Sequence, residues 1–220
     1  MRKKMRVQSR NKYDDKFKGF DPNFTSPEAI ECLIRLEGDR LPRTILEPCS
    51  GDGAIVRVLR EHSRMVKAID IYPYEGRPED TVIGDYFDPA TLDANVVAAC
   101  EGAVTNPPYA KALAFARKMI VEHRYVALLV RSNFYVEAAG RDDFFTKHPP
   151  TRVWFASLRL PMMHRYQWAG PKKPSNTAHC WLVWERGAAR EYPERFNWKE
   201  LLGNAAKKPT RLIQKRANGR

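Results

Sequence analysis

The chain contains 220 residues, of which 43% are hydrophobic and 29% are charged. This length suits one compact domain with a sizeable core. No apolar run approaches the roughly 18 residues that a membrane-spanning helix needs, and the basic N-terminal stretch lacks the apolar segment of a secretory signal. We therefore expect a soluble, cytoplasmic protein with no membrane partner. The four cysteines are widely spaced, without the paired spacing of a zinc site, so we expect reduced thiols and no metal.

The net charge of +12 is concentrated at the two ends of the chain. Residues 1–18 contain eight Lys or Arg and two Asp, and residues 186–220 contain ten Lys or Arg and three Glu. Basic segments around a nearly neutral domain attract a polyphosphate without charging the core, which indicates a nucleic-acid partner. Tails that only increase solubility are the alternative. We predict a flexible basic arm over residues 1–20, one domain over 21–187 and a basic extension over 188–220.

The predicted elements alternate between helices and strands. In "FDPNFTSPEAIECLIRL", Thr25 or Ser26 can cap a helix whose first turn accepts Pro27. Next, "RTILEPCSGDGAIVRVLREH" predicts a strand over 44–46, a tight turn and a helix with one apolar face. Further strands are predicted in "MVKAIDIYP", "TVIGDYFD", "GAVTNPPY" and "RYVALLVRSNF", with a helix in "YAKALAFARKMIVEH" before the last of them. This alternation predicts a doubly wound α/β sandwich with a parallel sheet.

The last third of the chain has a different pattern. "TRVWFASLRL" and "AHCWLVWERG" are two strand-like segments with no helix between them, which predicts an antiparallel hairpin at one edge of the sheet. A short helix that docks on the domain is predicted in "YPERFNWKELL".

Acids and glycines fall where several predicted strands end. Ligands of parallel sheets bind at the carboxyl ends of the strands, so these residues form a candidate site. Glu47 precedes the glycine turn with Gly51 and Gly53, and a carboxylate facing such a turn suits an ammonium group. Asp70 is placed to accept both hydroxyls of a ribose, and Asp85 can bind an adenine amino group. These residues predict a pocket for an adenosine with an amino-acid tail. Glycines that serve only the turn, and an Asp70 that caps a helix, are the alternatives.

Four segments occur in order along the chain: "LEPCSGDG", "AIDIYP", "GDYFD" and "TNPPY". Together they resemble the motif set of class I S-adenosylmethionine-dependent methyltransferases, specifically the N6-adenine group. "NFTSP" is similar to an additional cofactor motif of DNA adenine methyltransferases. The resemblance spans residues 23–185 and implies a Rossmann-like sheet of seven strands with an antiparallel last pair. It also implies S-adenosylmethionine as the cofactor. By analogy, the size of the chain and the missing recognition domain suggest a prokaryotic or phage-encoded protein. The implied cofactor contacts are Thr25, Glu47, Pro48, Gly51, Gly53, Asp70, Ile71, Asp85, Tyr86 or Phe87, and Asn106.

The segment "TNPPY" is expected to hold the methyl acceptor. The amino nitrogen of adenine is planar because its lone pair is delocalised, and acceptors aimed at its hydrogens stabilise the tetrahedral nitrogen that develops during direct, in-line attack. Asn106 Oδ1 and the Pro107 carbonyl are the expected acceptors, since Pro107 and Pro108 restrict the backbone there. Tyr109 offers a ring on which an extruded base can stack. In isolation, this segment is equally typical of a rigid turn.

Two further segments are candidates for contact with nucleic acid. Arg131 and Asn133 follow a buried strand, and ordinary surface-loop chemistry is the alternative for them. The loop over residues 161–177 mixes basic and aromatic side chains, which is typical of binding through phosphate attraction and stacking. A mobile hairpin loop is the alternative. Its candidate residues are Arg165, Tyr166, Trp168, Lys172 and Lys173.

Four functions fit these features. The basic ends favour a polyanionic substrate, so we expect an adenine-N6 methyltransferase acting on DNA, with RNA as the first alternative. A protein methyltransferase acting on a glutamine amide is the second, because the same acceptor set suits that planar nitrogen. A nucleic-acid-binding module without catalysis is the last, and the intact acceptor segment argues against it. The sequence after the hairpin is too short for a target-recognition domain, so DNA recognition would use a short site or a partner.

Overall fold

The computed structural model describes residues 23–137, 140–161, 164–165 and 174–203, and at residues 23, 24, 164 and 165 it describes the backbone. Its strands and helices, in chain order, are β1 (Asn23–Phe24), α1 (Pro27–Glu37), β2 (Thr44–Glu47), α2 (Ala54–Glu61), β3 (Met65–Asp70), β4 (Val82–Ile83), α3 (Ala94–Ala98), β5 (Gly102–Thr105), α4 (Ala112–Glu122), β6 (Tyr125–Arg131), α5 (Asn133–Val136), α6 (Asp142–Lys147), β7 (Arg152–Ala156), β8 (His164–Arg165), β9 (His179–Glu185), β10 (Glu194–Phe196) and α7 (Trp198–Gly203).

The main sheet has the strand order β10-β7-β9-β6-β5-β2-β3-β4. Neighbouring strands are parallel except around β9, which runs antiparallel to both β6 and β7. This arrangement confirms the predicted Rossmann-like α/β sandwich with an antiparallel hairpin near its C-terminus. The expected strand number of seven is corrected to eight in the described part of the chain, because β10 adds an edge strand beyond β7.

The apolar strand β6 lies inside the sheet, and all of its residues except Arg131 are buried. Successive side chains of a strand point to opposite faces, so this continuous apolar run fills the core on both sides of the sheet. Helices α1, α2 and α7 cover one face, and α3, α4 and α6 cover the other. The two cores cover both faces of the sheet, so a ligand can reach it at the carboxyl ends of its strands.

The folded unit continues past residue 187, where the sequence suggested a domain boundary. β10 pairs in parallel with β7, and α7 occupies the position predicted for a docking helix. Trp198, Leu201 and Leu202 pack against the core that contains α1. The Trp198 indole also donates a hydrogen bond of 3.2 Å to the Arg159 carbonyl. Residues 194–203 therefore belong to the domain.

A buried ion pair joins the C-terminal end of α1 to the start of β7. Arg152 Nε and Nη2 donate to Glu37 at 3.0 and 2.8 Å, and the two side chains are only 2% and 0% exposed. Arg152 also donates to Glu185 at 2.7 Å, and the Trp154 indole donates to Glu37 at 2.6 Å. This network lies at the edge of the sheet opposite to the carboxyl ends of the parallel strands, because β7 begins there and the antiparallel β9 ends there.

A two-stranded ribbon joins two segments that the sequence assigned to ligand binding. β1 immediately precedes Thr25, and it pairs antiparallel with β8, so that Asn23 is opposite Arg165. Only the backbone of Arg165 is described. The other loop candidates, Tyr166, Trp168, Lys172 and Lys173, lie outside the described residues, as does the arm over 1–20.

Within the described ranges, no helix combines the length and the apolar character that crossing a membrane requires. The same part of the chain contains no group of three or more His, Cys, Asp or Glu side chains arranged to hold a metal ion.

Candidate functional site

One edge of the sheet collects most of the described residues that the sequence predicted for a site. The parallel strands β2, β3, β5 and β6 end at this edge, and the antiparallel strand β9 begins there. The residues that follow these four strands and the first residue of β9 are therefore neighbours. Crevices at the carboxyl edge of such sheets are the usual ligand sites.

Glu47 is fully buried at the end of β2 and links two parts of the site. Its Oε1 accepts hydrogen bonds from the Cys49 amide at 3.0 Å and from the Thr105 hydroxyl at 2.6 Å. Thr105 is the residue before Asn106, so this bond connects the glycine turn to the Asn-Pro-Pro-Tyr loop. Burial raises the pKa of the Glu47 carboxyl to about 8, although both hydrogen bonds oppose the shift. Its other oxygen, Oε2, is buried with no hydrogen-bond partner among the described residues.

Asp70 holds the glycine turn in place. Its two carboxylate oxygens accept hydrogen bonds from the Gly51 amide at 2.8 Å and from the Tyr72 amide at 3.0 Å. Burial raises the pKa of this carboxyl group, and only 7% of the residue is exposed. A ribose bound as predicted would therefore donate to carboxylate oxygens that already accept hydrogen bonds from backbone amides. Ile71, the next residue, is 45% exposed and offers an apolar surface beside Asp70.

Gly53 is required by packing, whatever ligand the turn holds. Its φ is +83°, and a Cβ at this position would lie 2.3 Å from Pro78 Cδ. The loop that carries Pro78 is fixed over the turn by Arg57, whose Nη1 donates to the carbonyls of Asp52 at 2.6 Å and Gly76 at 3.1 Å. The absence of a side chain at Gly53 therefore allows the loop with Pro78 to pack against the backbone of the turn.

The segment after β4 contains the two aromatic residues that the sequence predicted beside the adenine ring, and they differ in exposure. Tyr86 is buried, stacks on Phe115 of α4 with 5.6 Å between ring centroids, and donates a hydrogen bond to Glu122. Phe87 is 36% exposed. The Asp85 carboxylate accepts a hydrogen bond of 2.9 Å from the Phe87 amide, which places both residues in one turn. Of the two rings, Phe87 is the one available to a ligand.

The remaining residues predicted to contact the cofactor are buried or half-buried. Thr25 and Pro48 are buried, next to the start of α1 and the end of β2 respectively. In the Asn-Pro-Pro-Tyr loop over residues 106–109, which we call the acceptor loop after its predicted role, Asn106 is half-buried and Pro107 is buried. The loop then turns through a short 3-10 helix over Tyr109–Lys111, which begins with a hydrogen bond of 2.8 Å from the Lys111 amide to the Pro108 carbonyl.

The structure adds His179, which the sequence analysis missed, to this loop. Tyr109 Oη lies 3.0 Å from His179 Nε2, and His179 Nδ1 lies 3.1 Å from the Thr177 carbonyl oxygen. The Arg131 guanidinium lies over the Tyr109 ring, 4.1 Å from its centroid. Arg131 and His179 are directly opposite each other in the pairing of β6 with β9. A signal existed in the sequence, since the first residue of an antiparallel strand lies at the carboxyl edge of its parallel neighbour.

Of the predicted nucleic-acid contacts that follow β6 or lie in the 161–177 loop, Arg131 is the one with a described contact to Tyr109. Arg131 is exposed at the end of β6 and contacts Tyr109, whereas Asn133 is exposed at the start of α5. Arg165 is placed only through its backbone, opposite Asn23. The structure thus brings one predicted substrate residue, Arg131, to the acceptor loop.

Two solved structures with a TM-score of 0.50 share this fold, and a third is similar with a lower score. A proposed RNA methyltransferase from Pyrococcus horikoshii is 14% identical, with a TM-score of 0.50 over 71% of this chain and 81% of that chain. A proposed hemolysin from Lactococcus lactis is 12% identical, with a TM-score of 0.50 over 84% of this chain and 99% of that chain. A proposed class I S-adenosylmethionine-dependent methyltransferase from Listeria monocytogenes is 12% identical, with a TM-score of 0.48 over 84% of this chain and 70% of that chain.

No protein-family model matches the chain, and no curated protein is significantly similar to it in sequence. The two structures with a TM-score of 0.50 carry names that describe different activities. Similarity of fold therefore does not select an activity, and the function must be argued from the residues of the site.

Proposed function

We propose that this protein is an S-adenosylmethionine-dependent methyltransferase that acts on the exocyclic N6 amine of adenine in DNA. The observation that carries the proposal is the 2.6 Å hydrogen bond between Glu47 and Thr105. It joins the glycine turn, which would hold the methionine part of the cofactor, to the loop that begins at Asn106. A methyl donor held by the first segment would therefore lie beside an amine held by the second.

The chemistry of the glycine turn fits this cofactor. Two buried oxygens of the segment, Glu47 Oε2 and Ser50 Oγ, have no hydrogen-bond partner among the described residues. Leaving a buried polar atom unsatisfied costs about 1–3 kcal/mol. The ammonium group of a methionine would favour the ionised form of Glu47, against the effect of burial, and could then supply hydrogens to both oxygens. Asp70 and Asp85 would bind the ribose and the adenine amino group, with the exposed side chains of Ile71 and Phe87 beside the ring. When bound, S-adenosylmethionine supplies an electrophilic methyl group.

The acceptor loop provides what a planar amine needs in order to react. Asn106 Oδ1 and the Pro107 carbonyl accept hydrogen bonds from the amino group and stabilise the positive charge that develops on its nitrogen. Pro107 and Pro108 hold these acceptors still, so little reorganisation is needed during the reaction. Tyr109 contacts the face of the extruded base, and the proton of the methylated amine leaves to water.

The charge distribution favours a nucleic acid over a protein substrate. Both ends of the chain are basic, and a cation, Arg131, is exposed beside the acceptor loop. The resemblance of "NFTSP" to a motif of DNA adenine methyltransferases favours DNA over RNA. RNA adenine and a protein glutamine amide are the alternatives, since the Asn-Pro-Pro-Tyr loop suits any planar amine.

A methyl-transfer assay with radiolabelled S-adenosylmethionine tests the proposal. Duplex DNA, single-stranded DNA, ribosomal RNA and a translational release factor are offered in parallel, and labelled DNA is digested to identify the modified base. We expect label in DNA as N6-methyladenine. Label only in RNA or only in protein selects the corresponding alternative, and absence of cofactor binding by calorimetry contradicts the methyltransferase proposal.

Substitution of Asn106 separates catalysis from cofactor binding. Asn106→Ala removes one acceptor aimed at the amine, so we expect methyl transfer to fall by about 100-fold or more while cofactor affinity changes only a few-fold. Asn95→Ala, at an exposed position of α3, is the matched control and should retain full activity. If Asn106→Ala loses cofactor binding and activity to the same extent, the side chain serves the structure of the loop instead.

A further inference from the structure

The cluster of Tyr109, His179 and Arg131 lies at the acceptor loop, and no motif of the sequence includes His179. Its members come from three adjacent parts of the sheet: the loop after β5, the start of β9 and the end of β6. His179 is 1% exposed, although it is polar and lies at the edge of the sheet. A buried imidazole requires hydrogen-bond partners, and here both ring nitrogens have one.

The two partners determine which nitrogen carries the proton. The Thr177 carbonyl can only accept, so His179 Nδ1 carries the hydrogen and donates it across 3.1 Å. In the neutral ring, Nε2 then has a free lone pair, and it accepts the hydrogen of the Tyr109 hydroxyl across 3.0 Å. Burial, together with the Arg131 charge, lowers the pKa of His179 to about 4, which keeps this neutral form at physiological pH.

We propose that His179 is a positioning residue for the methyl acceptor: it fixes the Tyr109 ring through the tyrosine hydroxyl while Arg131 covers one face of that ring. This inference rests on the proposed function. The tyrosine ring is then held at its backbone, at its hydroxyl and on one face. The cluster therefore fixes the orientation of the Tyr109 ring relative to Asn106, and Arg131 excludes a planar base from the face that it covers.

Arg131 and His179 occupy opposite positions in β6 and β9, and this pairing brings both side chains to Tyr109. A guanidinium stacked on an aromatic ring is attracted to its electron-rich face. Here the cation lies 4.1 Å from the ring centroid, and its exposed side remains available to a phosphate of the strand that carries the base. Arg131 would then contact both the tyrosine and the substrate.

The hydrogen bond can be tested without any enzymatic activity. Nitrogen NMR of the histidine rings in the full-length protein identifies the protonated nitrogen of His179 and its response to Tyr109→Phe, which keeps the ring and removes only the hydroxyl. We expect His179 to stay in the Nδ1–H form from pH 6 to pH 8, and its Nε2 resonance to shift in the variant. A protonated Nε2, or a resonance that does not respond to Tyr109→Phe, overturns the inference whatever reaction the protein catalyses.

The positioning role is then tested by a cycle of Tyr109→Phe, His179→Phe and the double variant. Each single variant should lower kcat/KM for the nucleic acid about five- to tenfold, as loss of one hydrogen bond does, and the double variant should be no worse than either. His179→Gln, which can place an oxygen near the former Nε2, should recover most of the loss. Cofactor affinity should stay within about twofold throughout.

Other results separate the inference from the proposed function. Additive losses in the double variant, or a lower melting temperature with unchanged kcat/KM, would show that His179 only supports the fold. If the wild-type protein binds no S-adenosylmethionine and methylates none of the offered substrates, the proposed function fails, and the positioning role fails with it even where NMR confirms the hydrogen bond.

Discussion

At the scale of single residues, Glu47 links the ionisation of the site to the stability of the fold. The carboxyl group has an ordinary pKa of 4.5, and burial raises it to about 8 in the folded protein. Between these pH values the unfolded chain releases the proton while the folded protein keeps it. The contribution to the free energy of unfolding is therefore fully present below about pH 4.5 and is lost as the pH rises to about 8. At about 1.4 kcal/mol per pKa unit, its upper limit is about 5 kcal/mol.

The variant Glu47→Gln tests this linkage, because an amide does not ionise. We expect the free energy of unfolding to fall less steeply between pH 5 and pH 8 in the variant than in the wild type. Asp70, whose pKa is also raised by burial, ionises in both proteins. Its charge also raises the pKa of Glu47, so the difference between the two profiles reports Glu47 together with this coupling. Urea unfolding at several pH values gives the measurement, and Glu79→Gln at an exposed position is the control. Parallel pH profiles for wild type and Glu47→Gln would contradict the buried, protonated carboxyl group.

The residues of the site differ in how far their surroundings could be predicted from the sequence. The positions of Glu47, Asp70 and Asn106 at strand ends were predictable, because acids and glycines that interrupt apolar runs mark those ends. The partner of Tyr109 was not, since its bond to His179 spans 70 residues. The close approach of Pro78 to Gly53 could not be predicted either, because it depends on how the loop with Pro78 folds back over the turn.

At the scale of elements, the ion pair between α1 and β7 supports the packing of the first helix on the sheet. Arg152→Leu would leave Glu37 buried without its cation, so we expect a loss of about 3–5 kcal/mol in the free energy of unfolding. The double variant Glu37→Gln with Arg152→Met should recover much of this loss, because it removes both charges and keeps an acceptor for Trp154. Urea unfolding at one pH measures all variants.

An exposed ion pair provides the matched control for this experiment. Lys147 Nζ lies 2.7 Å from Asp143, and the two side chains are 66% and 72% exposed. Lys147→Ala should therefore cost less than about 1 kcal/mol. A similar cost for Arg152→Leu would show that the buried pair contributes no more than a surface pair.

The elements themselves were predictable to different degrees. The antiparallel hairpin was expected because two apolar segments follow each other without a helix. β10 was not expected, since its residues, Glu194–Phe196, are mostly exposed and become a strand only by pairing with β7. An edge strand on a polar segment has no apolar period from which it can be recognised.

At the scale of the whole molecule, the proposed binding of nucleic acid depends on the basic ends of the chain. Removal of residues 1–18 takes away eight Lys or Arg and two Asp. We expect the truncated protein to bind DNA more weakly, with a smaller dependence of affinity on salt, because fewer counterions are released on binding. Fluorescence anisotropy at several salt concentrations gives the slope. Replacing the same segment with a neutral sequence of equal length controls for its bulk, and an unchanged slope would refute the role of the arm.

The antiparallel course of β9 has a consequence for how this protein can acquire new specificity. β7 ends and β9 begins at the carboxyl edge of the sheet, so the connection between residues 157 and 178 emerges beside the acceptor loop. The pairing of β9 with both neighbours fixes the two ends of this connection in register. Parts of the connection also support the candidate site, since β8 pairs with β1 beside Thr25 and the Thr177 carbonyl accepts a hydrogen bond from His179. A recognition segment would therefore be inserted between residues 165 and 174, where it leaves these contacts and the strand register unchanged.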